Sequence, residues 1–97
     1  MHDVIVLYNV PASPEAFDAH YQNTHIPLVH KLPKLREFSW GKVAEENAPY
    51  YVVARLSYAN AQDAEESLAS EPGVASVDDL ANFAGSGVTV LNVGRHG

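Results

Sequence analysis

Two side chains one helical turn apart, Tyr21 and His25, are the pair in this sequence best suited to acid/base chemistry. An imidazole titrates near neutral pH, so His25 could take or give a proton. A phenol beside it could polarise a carbonyl or orient a phenolic substrate. Each residue also has a structural reading. His25 could be satisfied by a backbone carbonyl freed by Pro27, and Tyr21 could be core with its hydroxyl at the rim. Thr24 adds a hydroxyl to the same side, His20 flanks it, and Leu28 continues the apolar stripe. His20, His25 and His30 recur every five residues, which on an α-helix turns each imidazole about 140° from the last. Metal ligands on one helix come at spacings of three or four, so these three do not converge on one ion. His30 reads as a solvated residue near the helix end. With no cysteine and no carboxylate triad, no metal site is assigned.

Tyr8, Phe17, Trp40 and Phe83 could line a pocket for a flat apolar or aromatic ligand, or could be core or dimer interface. Asn9, in an otherwise apolar strand, needs a hydrogen-bond partner if buried. Arg55 needs one too, and Glu37 across a hairpin is a candidate. No glycine-rich phosphate loop, nucleophile elbow or triad spacing is present, so a nucleotide cofactor has no visible home. Any oxidation would rest on the histidine and a reactive substrate, or on a bound haem. No cofactor is assigned.

The histidine-bearing stretch, Ser13 to Leu32, opens like a helix. Ser13 can cap, Pro14 suits the first turn, and Glu15 meets the positive end of the dipole. Phe17, Tyr21, Leu28, Val29 and Leu32 then recur at helical spacing. Pro27 should kink the helix just past His25. Before it, Val4–Val10 reads as a central strand, apolar on both faces. Residues 35–43 and Tyr50–Tyr58 read as a hairpin, with Gly41 suggesting a bulge or close backbone approach. Asn60 caps a helix over 61–71, which Pro72-Gly73 breaks. Residues 74–82 read as a short helical turn with Val74, Val77, Leu80 and Phe83 inward, and residues 88–93 are the last strand.

The order is β-α-β-β-α-β, which closes as a four-stranded antiparallel sheet with both helices on one face, the ferredoxin-like α+β arrangement. The other face of the apolar first strand is then bare. A second copy packed sheet to sheet is the economical cover, giving a homodimer. Ninety-seven residues make one domain, 1–97. Twelve acidic residues against six basic ones, a net charge of −6, argue against nucleic acid as a partner. The N-terminus lacks a basic leader, and its apolar run is too short for a signal or a membrane span. Together with the lack of cysteine, this leads to the expectation of a cytoplasmic protein without a membrane partner.

The motif His20-Tyr21-x3-His25-x-Pro27-Leu28, followed by residues 70–73 (SEPG) and 79–84 (DLANFA), resembles the EthD-like family, named for ethyl tert-butyl ether degradation. That family lies within the dimeric α+β barrel superfamily, and the resemblance spans essentially the whole chain. It implies a pocket between sheet and helices lined by the first-helix histidine, whose matching position is His25. The superfamily includes cofactor-free monooxygenases, lactone isomerases, cyclases and haem enzymes. The expectation is a small cofactor-independent enzyme, oxidative or of isomerase or cyclase type, acting on an apolar or phenolic small molecule. His25 and Tyr21 would be catalytic, and Tyr8, Phe17, His20, Thr24, Leu28, Trp40 and Phe83 would bind substrate. A non-catalytic ligand-binding or accessory protein of a degradation pathway is the alternative, and a haem-binding barrel a minor one.

Overall fold

The computed structural model describes residues 1–96. Four strands, β1 (His2–Asn9), β2 (Glu37–Lys42), β3 (Tyr50–Tyr58) and β4 (Val88–Gly94), form one sheet in the order β2-β3-β1-β4. Every neighbouring pair is antiparallel. This is the expected ferredoxin-like topology. The one irregularity in β1–β3 pairing falls between Tyr8 and Asn9. Gly41, expected to mark a bulge, instead pairs regularly with Val53 and has open space where a Cβ would stand.

The first helix is distorted before its proline rather than after His25. It comprises α1 (Pro14–His20), a π turn (Tyr21–His25) and α2 (Ile26–Val29). The Ser13 hydroxyl accepts from the Ala16 amide at 3.4 Å and caps α1. In the π turn the Ile26 amide reaches back five residues to the Tyr21 carbonyl. Pro27, next in line, has no N–H with which to restore the four-residue pattern.

The second helical region departs from expectation. Helix α3 covers Ala61–Ala69 and α4 covers Glu71–Phe83, thirteen residues rather than a short turn. Pro72 and Gly73 begin α4 instead of merely ending α3. Ser70 accepts from the Gly73 amide at 3.2 Å, and Pro72 sits in the first turn, where a missing N–H costs nothing. Gly73 is required by packing, since a Cβ there would lie 2.4 Å from the carbonyl oxygens of Ser67 and Leu68. That close approach turns Gly73, Ser76 and Asp79 inward and leaves Val74 and Val77 half exposed.

The helices cover one face of the sheet. Val4, Val29, Leu32, Leu56, Tyr58 and Ala64 form one core cluster; Tyr8, Phe17, Tyr21, Val52 and Ala54 form a more aromatic one. The Tyr58 hydroxyl meets Ser67 Oγ at 2.8 Å and fastens α3 to β3. On the opposite face, Leu91 and Val93 remain 47% and 41% exposed. Asp3 is buried at the end of that face. It accepts from Ser57 Oγ at 2.7 Å and from Arg95 Nε at 2.9 Å, while Arg55 reaches Glu37 at 3.0 Å as anticipated. Among the described residues, no helix is long and apolar enough to cross a membrane.

Candidate functional site

His25, at the end of the π turn, is buried. Its Nδ1 stands 2.9 Å from Asp79 Oδ2, and its Nε2 stands 3.4 Å from the Tyr8 hydroxyl. A carboxylate only accepts, so the proton belongs on Nδ1 and the Nε2 lone pair faces Tyr8, which donates. His20 Nε2 donates to the other Asp79 oxygen at 2.8 Å, and Asn82 Nδ2 adds a third donor at 3.0 Å. The result is a chain from Tyr8 through His25 and Asp79 to His20, whose side chain is about a quarter exposed.

The electrostatics follow from these contacts. Burial disfavours the imidazolium and lowers the His25 pKa below its ordinary 6.5, outweighing the pull of Asp79. Burial opposes ionisation of Asp79 as well, but the bonds from Asn82, His20 and His25 prevail and hold it below 3.8. Tyr8 and Tyr21 are both pushed far upward by desolvation, so each stays a hydrogen-bond donor.

The π turn brings the two histidines together. On an α-helix, residues five apart diverge, whereas a five-residue turn returns the chain to nearly the same face. His20 and His25 therefore meet on one carboxylate, contrary to the expectation from their spacing. Both offer N–H to Asp79, and no cluster of His, Cys, Asp or Glu among the described residues is placed to hold a metal. His30 is exposed near the helix end, edge-on to Phe38.

A cavity of about 80 Å³ opens beside this chain. Tyr8, Tyr21 and His25 contribute to its wall; the rest is mainly aliphatic, from Val4 and Val6 across to Leu68 and Leu80. Tyr21 stacks on the His25 ring at 5.7 Å, but its buried hydroxyl has no hydrogen-bond partner among the described residues. The expected binding residues divide around this cavity. Tyr8 lines it, and His20 touches Asp79 behind it. Phe17 and Phe83 pack behind Tyr8 at 5.5 and 5.6 Å, with Phe83 also 4.7 Å from the His25 ring. Trp40 meets Tyr21 edge-on at 5.0 Å without reaching the cavity. Thr24 is exposed, because the π turn swings residues 22–24 outward. Leu28 borders a separate surface groove with Lys31, Glu71, Pro72 and Ala75. Of the expected binding residues, only Tyr8 lines the cavity; Thr24 and Leu28 lie away from it, and Phe17, His20, Trp40 and Phe83 are not in its wall.

Asp79 is the residue that sequence reasoning missed. Taking the valines of α4 as its inner face turned Asp79 outward. The available signal was the spacing of Gly73, Ser76 and Asp79, small or polar residues at a three-residue interval on the buried side.

The EthD domain model matches residues 10–87, a span that includes the π turn, His25 and Asp79. The chain belongs to the EthD family. An uncharacterized 11.0 kDa protein from the thcB-thcC intergenic region of Rhodococcus erythropolis is 40% identical over 94 residues, covering 94% of this chain and 91% of that protein. The crystal structure of an EthD family protein from Bacillus halodurans superposes with a TM-score of 0.94 at 29% identity, covering 99% of both chains. A dimeric ferredoxin-like protein of unknown function from Thermobifida fusca shares the fold at 9% identity, with a TM-score of 0.76 over 97% of this chain and 90% of its own. The EthD matches take in the whole helical layer that carries the candidate site.

Proposed function

We propose that this EthD family protein is a cofactor-independent acid/base catalyst acting on a small apolar molecule, with His25 as the proton-transferring group. The observation that carries the reading is the buried chain of Tyr8, His25 and Asp79 at the wall of a largely aliphatic cavity. Asp79 fixes the tautomer in which Nε2, held only by the long 3.4 Å bond from Tyr8, is the accepting nitrogen, and its charge stabilises the imidazolium formed on proton uptake. Lowering of the His25 pKa by burial keeps the ring neutral at pH 7, as a base requires. Tyr8 closes the far end of the chain and meets the ligand beside His25.

The protein works as a homodimer joined through its outer sheet face in this reading. Ile5, Leu7, Val53, Leu91 and Val93 form an apolar surface there that no helix covers. A ferredoxin-like relative of dimeric form supports this assembly. Burying a few hundred Å² of apolar surface at about 25 cal/mol per Å² would materially stabilise so small a domain.

Incubating the protein in D2O with a panel of small carbonyl and phenolic compounds tests the acid/base reading by NMR detection of deuterium on carbon. His25→Gln should abolish that exchange while leaving ligand affinity nearly unchanged. Equal exchange in wild type and variant would exclude His25 as the base. Binding without exchange in either protein would mark a carrier rather than a catalyst.

A further inference from the structure

Tyr21 presents an unusual combination: 1% exposed, in the cavity wall, with a hydroxyl that no group among the described residues satisfies. Leaving such a donor unpaired is costly, so native structures retain few of them. Burial keeps this phenol protonated, so what it lacks is an acceptor. The other polar groups in the wall are engaged. Tyr8 and His25 face each other, and Ser76 Oγ donates to the Gly73 carbonyl at 2.8 Å.

The size and lining of the space narrow what can supply that acceptor. A buried apolar cavity of about 150 Å³ accommodates benzene. This one, at about 80 Å³, is roughly half that. Most of its wall is aliphatic, from residues such as Val4, Val6, Leu56, Leu68 and Leu80; Phe38 lines it beside Tyr8, Tyr21 and His25, while Phe17, Trp40 and Phe83 lie outside it. Val77 on α4 and Val90 on β4 also line it and are 52% and 48% exposed, which places its mouth between those two elements.

We infer that the cavity receives a compact aliphatic carbonyl compound of about five heavy atoms, admitted between Val77 and Val90, whose oxygen accepts the Tyr21 hydroxyl. The inference rests on the acid/base reading of His25 and deepens it. With the carbonyl on Tyr21, the long 3.4 Å bond from Tyr8 to His25 Nε2 gives way, and Nε2 removes a proton from the adjacent carbon. The C–H electron pair becomes the C=C bond of an enolate, and the carbonyl π pair moves onto the oxygen held by Tyr21. The imidazolium, facing Asp79, returns the proton. The exchange is balanced and needs no oxidant.

The probes are butanone and its acceptor-free isostere 2-methyl-1-butene, titrated into the full chain. Binding is followed by Trp40 fluorescence and ring-proton NMR. Wild type should bind butanone about tenfold more tightly than Tyr21→Phe does, the worth of one hydrogen bond. The hydrocarbon should bind both proteins alike. Equal butanone affinity in the two proteins overturns the inference, as does preference for acetophenone over butanone. Tyr21→Phe should fold, because it removes an unpaired hydroxyl, and a thermal midpoint below wild type would show that the hydroxyl has a protein partner and overturn its assignment to the ligand. Tyr21-dependent binding without deuterium on the α-carbons would uphold the ligand class while overturning the acid/base role of His25. The two readings therefore fail separately.

Discussion

Asp3 and Asp79 are both buried aspartates, one on each face of the sheet, and their partners make them different devices. Asp3 is held by the Ser57 hydroxyl and by Arg95, with Arg55 at 3.8 Å. Asp79 is held by two histidines and an asparagine. Arginine never gives up its proton under ordinary conditions, so the Asp3 cluster is a fixed charge pair that ties the chain ends, Asp3 and Arg95, together. Histidine exchanges its proton near neutral pH, so the Asp79 cluster can change state without unfolding. Burial resists ionisation at both aspartates, yet hydrogen bonds keep each below its usual range. What separates structure from chemistry here is the mobility of the partner's proton rather than burial or charge.

The sharpest way to break that comparison is to neutralise each aspartate in turn. Asp79→Asn should lower deuterium exchange about 10²–10⁴-fold, by loss of the fixed tautomer and of imidazolium stabilisation. Because Asp79 is not in the cavity lining, KM should hardly move, while the pH profile of the residual activity shifts downward. Asp3→Asn should leave exchange intact. An equal loss of activity in both variants would erase the distinction.

Stability should show the reverse emphasis. Asp3→Ala is expected to cost about 1–3 kcal/mol in urea melts, from the unpaired Ser57 and the lost anchor for Arg95. Ligand affinity should be unaffected, since the two clusters occupy opposite faces.

The pH dependence of folding separates the two clusters by window. Burial lowers the His25 pKa, so in the range below 6.5 the unfolded chain holds a proton that the folded chain refuses. Stability therefore falls as pH drops through that range, and His25→Gln should flatten this part of the curve. Asp3 and Asp79 are both held below 3.8 by their partners. Their contribution is present above that value and is lost as pH falls from there through the folded pKa values. Asp3→Asn should flatten this lower limb. Thermal melts from pH 8 to pH 2 on the three proteins check both assignments.

Two smaller effects probe the Asp79 side alone. Tyr21→Phe should raise unliganded stability by about 1 kcal/mol, since an unpaired buried hydroxyl disappears and the ring remains. Calorimetry decides the sign. Deleting Asn23, which is exposed in the π turn, should convert the segment to a continuous α-helix. The histidines would then stand four apart and still share a face. NMR should show the His25–Asp79 bond retained, with little change in stability.

Much of this arrangement was legible in the chain itself. Short runs rich in β-branched and apolar residues marked β1 and β3, Ser13-Pro14 and Asn60 marked helix starts, and the resulting order closed in one topology. The residue types and motif around His25 pointed to an inward imidazole, and the inward position is where it stands. Those features are local: capping, strand alternation and proline chemistry are decided within a few residues.

Tertiary structure alone decided three things. It rotated α4 so that Gly73, Ser76 and Asp79 face inward, because only a residue without a side chain lets α4 start against the Ser67 and Leu68 carbonyls. It also set the π turn, which joins His20 and His25 where regular helical spacing would separate them. And it gave His25 Tyr8, from a strand seventeen residues away, as its hydroxyl partner, leaving adjacent Tyr21 unbonded. Each depends on which surfaces fit together across the sheet. That fit is a property of volumes and distances between remote segments, which local signals such as the Gly73, Ser76 and Asp79 spacing point toward without fixing.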